Sequence, residues 1–150
     1  MSISAPDQIH VIEEFKFEHR RTEDRVHFSL EVKAPGWVLV GFNDSKNIEQ
    51  SYLVFGSIDG LGFHVEDHFV TSFGQHESLF DLGEGASLKD CMVKDVHGTK
   101  SLTFSLPINP TTKMAPDFKN QKAHYVWLAY SVDRDFNHHS RKRIGRWIKL

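Results

Sequence analysis

The side chains in this 150-residue chain that could do chemistry are, first of all, its ten histidines. Imidazole is the commonest protein metal ligand and the side chain whose charge changes nearest neutral pH, so metal binding and proton handling are the chemistries on offer. Spacing narrows the field. His10, His19, His27, His97 and His124 alternate out of apolar faces or fall in turns and need no special explanation. His64 and His68, four apart in an alternating stretch, share one strand face but stand some distance along it, so they read as solvent-facing and would need another strand to form a metal pair. His76 lies in a polar, glycine-bearing stretch over residues 71–87, and His138-His139 precede the basic run Arg141-Lys142-Arg143, with Arg146 beyond it. By itself such a run reads as a solvated surface.

Other reactive groups are few. The single cysteine, Cys91, excludes an intramolecular disulfide and has no base beside it, so it reads as structural. There is no Gly-x-Ser-x-Gly, no phosphate-cradling glycine loop, no His-Glu-x-x-His and no cysteine pair for zinc, and no two carboxylates are spaced as an acid/base dyad. An enzyme is therefore not expected. Lys and Arg number 18 against 20 Asp and Glu, a net charge of -2, which argues against a nucleic-acid surface. No apolar stretch approaches the ~20 residues of a membrane span. The opening Met1-Ser2-Ile3-Ser4-Ala5-Pro6 lacks the basic start and apolar run of a signal peptide.

The elements that must position these groups are strands. Residues 9–17 alternate apolar and polar, residues 20–24 form a charged turn, and Val26, Phe28, Leu30 and Val32 give the cleanest period-two pattern in the chain. Ala34-Pro35-Gly36 ends that strand, since proline cannot donate to a ladder. Gly36-Trp37-Val38-Leu39-Val40-Gly41-Phe42 and Ser51-Tyr52-Leu53-Val54-Phe55-Gly56, joined by a polar loop, are apolar on both faces and read as two buried strands whose shared end carries the function. Asp59-Gly60 turns the chain into a strand over 61–70, and residues 71–87 read as a long ordered loop. Strands at 93–96 and 102–108 form a hairpin about His97-Gly98; residues 109–121 loop, 124–132 make a central strand and 143–150 the last one. No stretch has helical period. The expectation is one domain over 1–150, an all-β sandwich of about nine strands.

The ordered string Gly36-Trp37-Val38-x-Val40-Gly41-Phe42-Asn43, then Asp59-Gly60, Glu66-Asp67-His68-Phe69, Gln75-His76, Leu102-x-Phe104-x-Leu106-Pro107, Trp127-x-Ala129-Tyr130 and Phe136-Asn137-His138-His139 resembles the DOMON domain, most closely its bacterial single-domain members, over nearly the whole chain. The resemblance implies an immunoglobulin-like β-sandwich whose end pocket holds b-type haem or a sugar, and an exported protein, periplasmic or extracellular. In the haem-binding members a methionine in the loop after the Gly-Phe-Asn strand and a histidine or lysine just before the last strand clamp the iron. The second position falls on His139, with His138 as the alternative; the methionine's place carries Ile48, and Tyr52 stands near the place of the acidic residue that usually follows it. Isoleucine cannot donate to iron, which leaves the sixth position vacant or supplied from elsewhere, by His76 for example.

On this resemblance haem b would be lined by Trp37, Phe42, Asn47, Ile48, Tyr52 and Trp127, with Arg141 and Arg143 neutralising its propionates and His139 as the proximal ligand. The function would be electron transfer with a redox partner protein, or sensing of haem or a small ligand. A carbohydrate-binding module without metal is the alternative, with Trp37, Tyr52 and Trp127 as stacking platforms for a small sugar. A protein-interaction domain with a degenerate pocket is the third.

Overall fold

A computed structural model describes residues 8–150; the expectation drawn from residues 1–6 lies outside the described residues. Eleven strands follow in order: β1 Gln8–Ile12, β2 Phe15–Arg21, β3 Arg25–Lys33, β4 Val38–Asn43, β5 Tyr52–Asp59, β6 Gly62–Ser72, β7 Gln75–Ser78, β8 Lys89–Val96, β9 Thr99–Pro107, β10 Ala123–Tyr130 and β11 Lys142–Lys149. They form the expected β-sandwich from two antiparallel sheets, one ordered β1-β2-β3-β9-β8 and the other β11-β10-β4-β5-β6-β7. Among the described residues no helix is long and apolar enough to cross a membrane.

Two strands exceed the sequence expectation. The alternation over residues 9–17 is broken by a turn at Glu13, where φ is 52°, so that β1 folds back on β2 with Ile12 opposite Phe15. Within residues 71–87, Gly74 adopts φ 80° and lets β7 return along β6, with His76 opposite Val70.

Alternation decides what each sheet buries. In β3, Val26, Phe28, Leu30 and Val32 all point inward and are buried, and pairing with β9 sets Phe28 opposite Phe104. The Phe28 ring lies 4.9 Å from Phe42, 5.2 Å from Phe104, 5.7 Å from Phe118 and 6.0 Å from Phe17, an aromatic centre for the layer between the sheets. Such pairs add about 0.5–1.5 kcal/mol each beyond the area they bury.

Polar atoms facing that layer need partners. The Tyr52 hydroxyl donates to Asp67 Oδ2 at 2.7 Å, and burial, then the Asp67 charge, pushes the phenol well above its usual value. Replacing Tyr52 by phenylalanine should cost about 1–2 kcal/mol, because the Asp67 carboxylate loses its hydroxyl donor. A urea midpoint that does not move would mean that Asp67 gains its solvation elsewhere.

β4 and β5 are buried on both faces, as their continuous apolar runs imply. Val38, Val40, Phe42, Tyr52 and Val54 face the other sheet. Leu39, Leu53 and Phe55 face away from it and, with Trp37, Val70, Trp127 and Ala129, form a second apolar cluster on the outer face of the six-stranded sheet. This outer layer is where the candidate site lies.

Candidate functional site

The segment between β10 and β11, residues 131–141, folds back over the outer layer, and its entry is fixed by backbone bonds to the start of β4. Gly36 N–H donates to Ser131 O, Trp37 N–H to Asp133 O and Ser131 N–H to Trp37 O, each at 2.9 Å. Gly36 is required here by proximity: a Cβ would sit 2.3 Å from Asp133 O and 2.5 Å from Ser131 O, both backbone atoms. Further along, Asp133 and Asp135 carboxylates accept from the backbone N–H two residues on, at 2.8 and 2.9 Å, a succession of Asx turns. The buried Ser131 hydroxyl donates to His139 O at 3.0 Å and ties the far end of the segment back to β10. Phe136 is thereby laid against Phe55, ring centroids 5.2 Å apart, and edge-on to His68 at 6.2 Å.

Between this segment, the loop after β4 and the β6–β7 turn lies a cavity of about 250 Å³. Its floor is Trp37, Leu39, Leu53, Phe55, Val70 and Ala129, all buried; its walls include Ile48, Phe73, His76, His138, His139 and Arg143. It sits on the outer face of one sheet. The sequence points instead to the shared end of the β4 and β5 strands; the space between the sheets is filled by the phenylalanine layer.

The same geometry sorts the residues singled out from sequence. Trp37, Ile48, His76, His138, His139 and Arg143 all line the cavity. Phe42 and Tyr52 do not, because strand parity turns both toward the inner core, where they are 2 % and 1 % exposed. Trp127 belongs to the outer cluster beside the cavity, with the Arg143 guanidinium 5.0 Å above its ring. Asn47 is exposed and acts through its carbonyl, which accepts from Asn43 Nδ2 and Ser51 Oγ and shapes the loop that carries Ile48. Arg141 is exposed, and its backbone N–H continues the ladder to Tyr130 O at 2.8 Å. Trp37, Tyr52 and Trp127, the stacking platforms of a sugar site, are at most 9 % exposed, so none offers a broad free ring.

Three histidines differ from the wet-face expectation. His124 is buried, with its two ring nitrogens at 3.2 Å from Lys122 O and 3.1 Å from Asp117 O. His19 is buried and stacks on His10, their Nε2 atoms 3.0 Å apart. His68, only 6 % exposed, is covered by Phe136, whereas His64 stays at the surface beside Asp59. His68 Nε2 is 3.1 Å from Glu66 Oε1, and His68 Nδ1 is 2.8 Å from His76 Nδ1. The Glu66-x-His68 alternation was the signal, but only the folded segment shows which of the two strand histidines is enclosed.

The cavity sets three imidazoles and the Arg143 guanidinium around an apolar floor. Burial, and then the neighbouring His68, hold the His76 imidazole below its usual value. His138 and His139 stack at 4.4 Å; His138 is half-buried and His139 exposed at the rim. The Nε1–H groups of Trp37 and Trp127 are buried without a hydrogen-bond partner among the described residues. No cluster of three or more His, Cys, Asp or Glu suited to chelating a metal occurs among the described residues. Cys91 is half-buried, and burial together with Asp67 and Asp90 pushes its thiol up, away from a nucleophilic role.

Fold and site together define a β-sandwich with a histidine-walled apolar cavity on the outer face of one sheet. No family model matches this chain, and no curated protein matches it.

Proposed function

We propose that the protein is a binding module for b-type haem, which would be held in the outer-face cavity by His139, or its neighbour His138, with His76 as a second donor. The observation that carries this reading is the convergence of His76, on the edge strand β7, and the His138-His139 pair, beyond β10, on one apolar floor. The residues present suit the group. Imidazoles without a chelating cluster fit an iron that brings its own ring ligands, and Arg143 is a donor suited to an anionic propionate.

At about 250 Å³ the cavity falls just below the ~300 Å³ at which small-molecule sites begin. The reading is therefore of a partly exposed cofactor, near Phe73, which is itself 77 % exposed. Bound haem would supply one-electron chemistry or a coordination site for a small ligand. The chain's own part is to exclude water with Trp37 and Phe55 and to orient the imidazoles through the Ser131 anchor and the His68 contact. Ile48 adds apolar wall and no donor. A redox partner protein and an exported location, periplasmic or extracellular, go with this reading.

Titration with hemin should give a Soret band that is red-shifted from free hemin and lost when His138 and His139 are both replaced by alanine. The single variants identify which ring ligates. A wild-type protein that gives no shifted band ends the haem reading.

A further inference from the structure

We infer that Glu66 and His68 fix the tautomer of His76, so that His76 carries its proton on Nδ1 and offers Nε2 to the cavity as a lone-pair donor. The inference deepens the haem reading and depends on it only for the identity of the ligand.

The argument is one of hydrogen-bond counting along a chain of three groups. β6 alternation puts Glu66 and His68 on the outer face, and the β6–β7 pairing sets His76 beside them. An ionised carboxylate has no hydrogen to give, so the 3.1 Å contact between Glu66 Oε1 and His68 Nε2 requires the proton on His68 Nε2. If His68 is neutral it has one N–H and one lone pair, so its Nδ1 is left as an acceptor; a doubly protonated His68 would instead donate from Nδ1 and reverse the assignment. The 2.8 Å contact to His76 Nδ1 can then form only if His76 donates from Nδ1. His76 Nε2 is left unprotonated, the state a metal ligand needs. Two neutral rings can satisfy the carboxylate and each other in no other way.

Packing holds the chain in that register. The Phe55 ring stands 5.0 Å from His68 and 5.2 Å from His76, and Phe136 covers His68 from the side of the surface groove that Glu66 lines with Asp59, His64, Arg134 and Asp135. Glu66 keeps a half-exposed side chain, so the device is anchored at the surface and read out inside. Carboxylate-to-imidazole contacts of this kind orient metal-bound histidines; here the carboxylate acts at one remove, through a second imidazole. Glu66 and His68 are positioning residues.

The test reads the tautomer directly. In ¹⁵N-labelled protein without haem, long-range ¹H–¹⁵N correlation spectra at neutral pH should show His76 protonated at Nδ1 and His68 at Nε2. Glu66→Ala should convert His76 to a mixture of tautomers and weaken hemin binding by about 10- to 100-fold, the usual effect of losing an outer-sphere partner. Glu66→Gln, whose amide oxygen can still accept, should restore most of both. Wild-type His76 found protonated at Nε2, or a Glu66→Ala spectrum identical to the wild type, overturns the inference. A wild type with the expected tautomer and no Soret band sinks the haem reading alone.

Discussion

Replacing Gly36 by alanine should lower stability by about 3 kcal/mol and, on the haem reading, remove hemin binding with it. The added Cβ would stand 2.3 Å from Asp133 O, 2.4 Å from Asp133 N and 2.5 Å from Ser131 O. All three are backbone atoms, so no side-chain rotation relieves the clash, and the segment after β10 must move off β4. That movement strains three backbone hydrogen bonds, between Gly36 and Ser131, Trp37 and Asp133, and Ser131 and Trp37, each contributing ~1 kcal/mol. The displaced segment carries His138 and His139, so that wall of the cavity leaves with it. Urea denaturation measures the first effect and hemin titration the second. A variant with the wild-type midpoint and intact binding would show that the segment slides at no cost.

The second large effect is acid lability above the carboxylate range. Burial, then His10 and Arg21, lower the His19 imidazole to about 4 from an ordinary value of 6.5. The folded protein therefore keeps His19 neutral while the unfolded chain takes up a proton below pH ~6.5. Stability is full above that pH and is lost progressively as pH falls toward 4, by about 3 kcal/mol for this group alone. His27, His76 and His124 are lowered mainly by burial as well and add to the loss in the same direction. Glu14, Asp59, Asp90 and Asp117 are held below their usual values, so their contribution disappears only at more acid pH. His19→Gln, which cannot charge, should flatten the difference in urea-derived stability between pH 7 and pH 4.5. If that difference in the variant equals that of the wild type, the His10–His19 contact is not the source.

Much of the scaffold could be read from hydrophobic spacing. The period-two pattern of β3 and the two-faced runs of β4, β5 and β10 point to a sandwich before any coordinates are seen, because side chains alternate across a strand. The turn at Glu13 was not legible: two glutamates carry none of the usual glycine, proline or asparagine signals, and the left-handed backbone there is sustained by pairing between β1 and β2. The position of the cavity was hidden for a related reason. In a strand apolar on both sides, composition does not say which parity meets the other sheet, so Phe42 and Tyr52 were grouped with Trp37 although they face the opposite way. His64 and His68 have equal parity and similar neighbours; only the return of residues 131–141 separates a surface ring from an enclosed one. Trp37, Ile48, His76, His138, His139 and Arg143 were named from motif order, and they come to one cavity because that order also dictates which loops flank the same sheet.

The division of β4, β5 and β10 into inward and outward residues separates two tasks within single strands. Even-numbered positions 38, 40, 42, 52, 54, 126 and 128 hold the sheets together, while their odd-numbered neighbours 39, 53, 55 and 129 shape the recess. Substitutions at the odd positions can therefore reshape what the recess accepts without repacking the layer that keeps the protein folded.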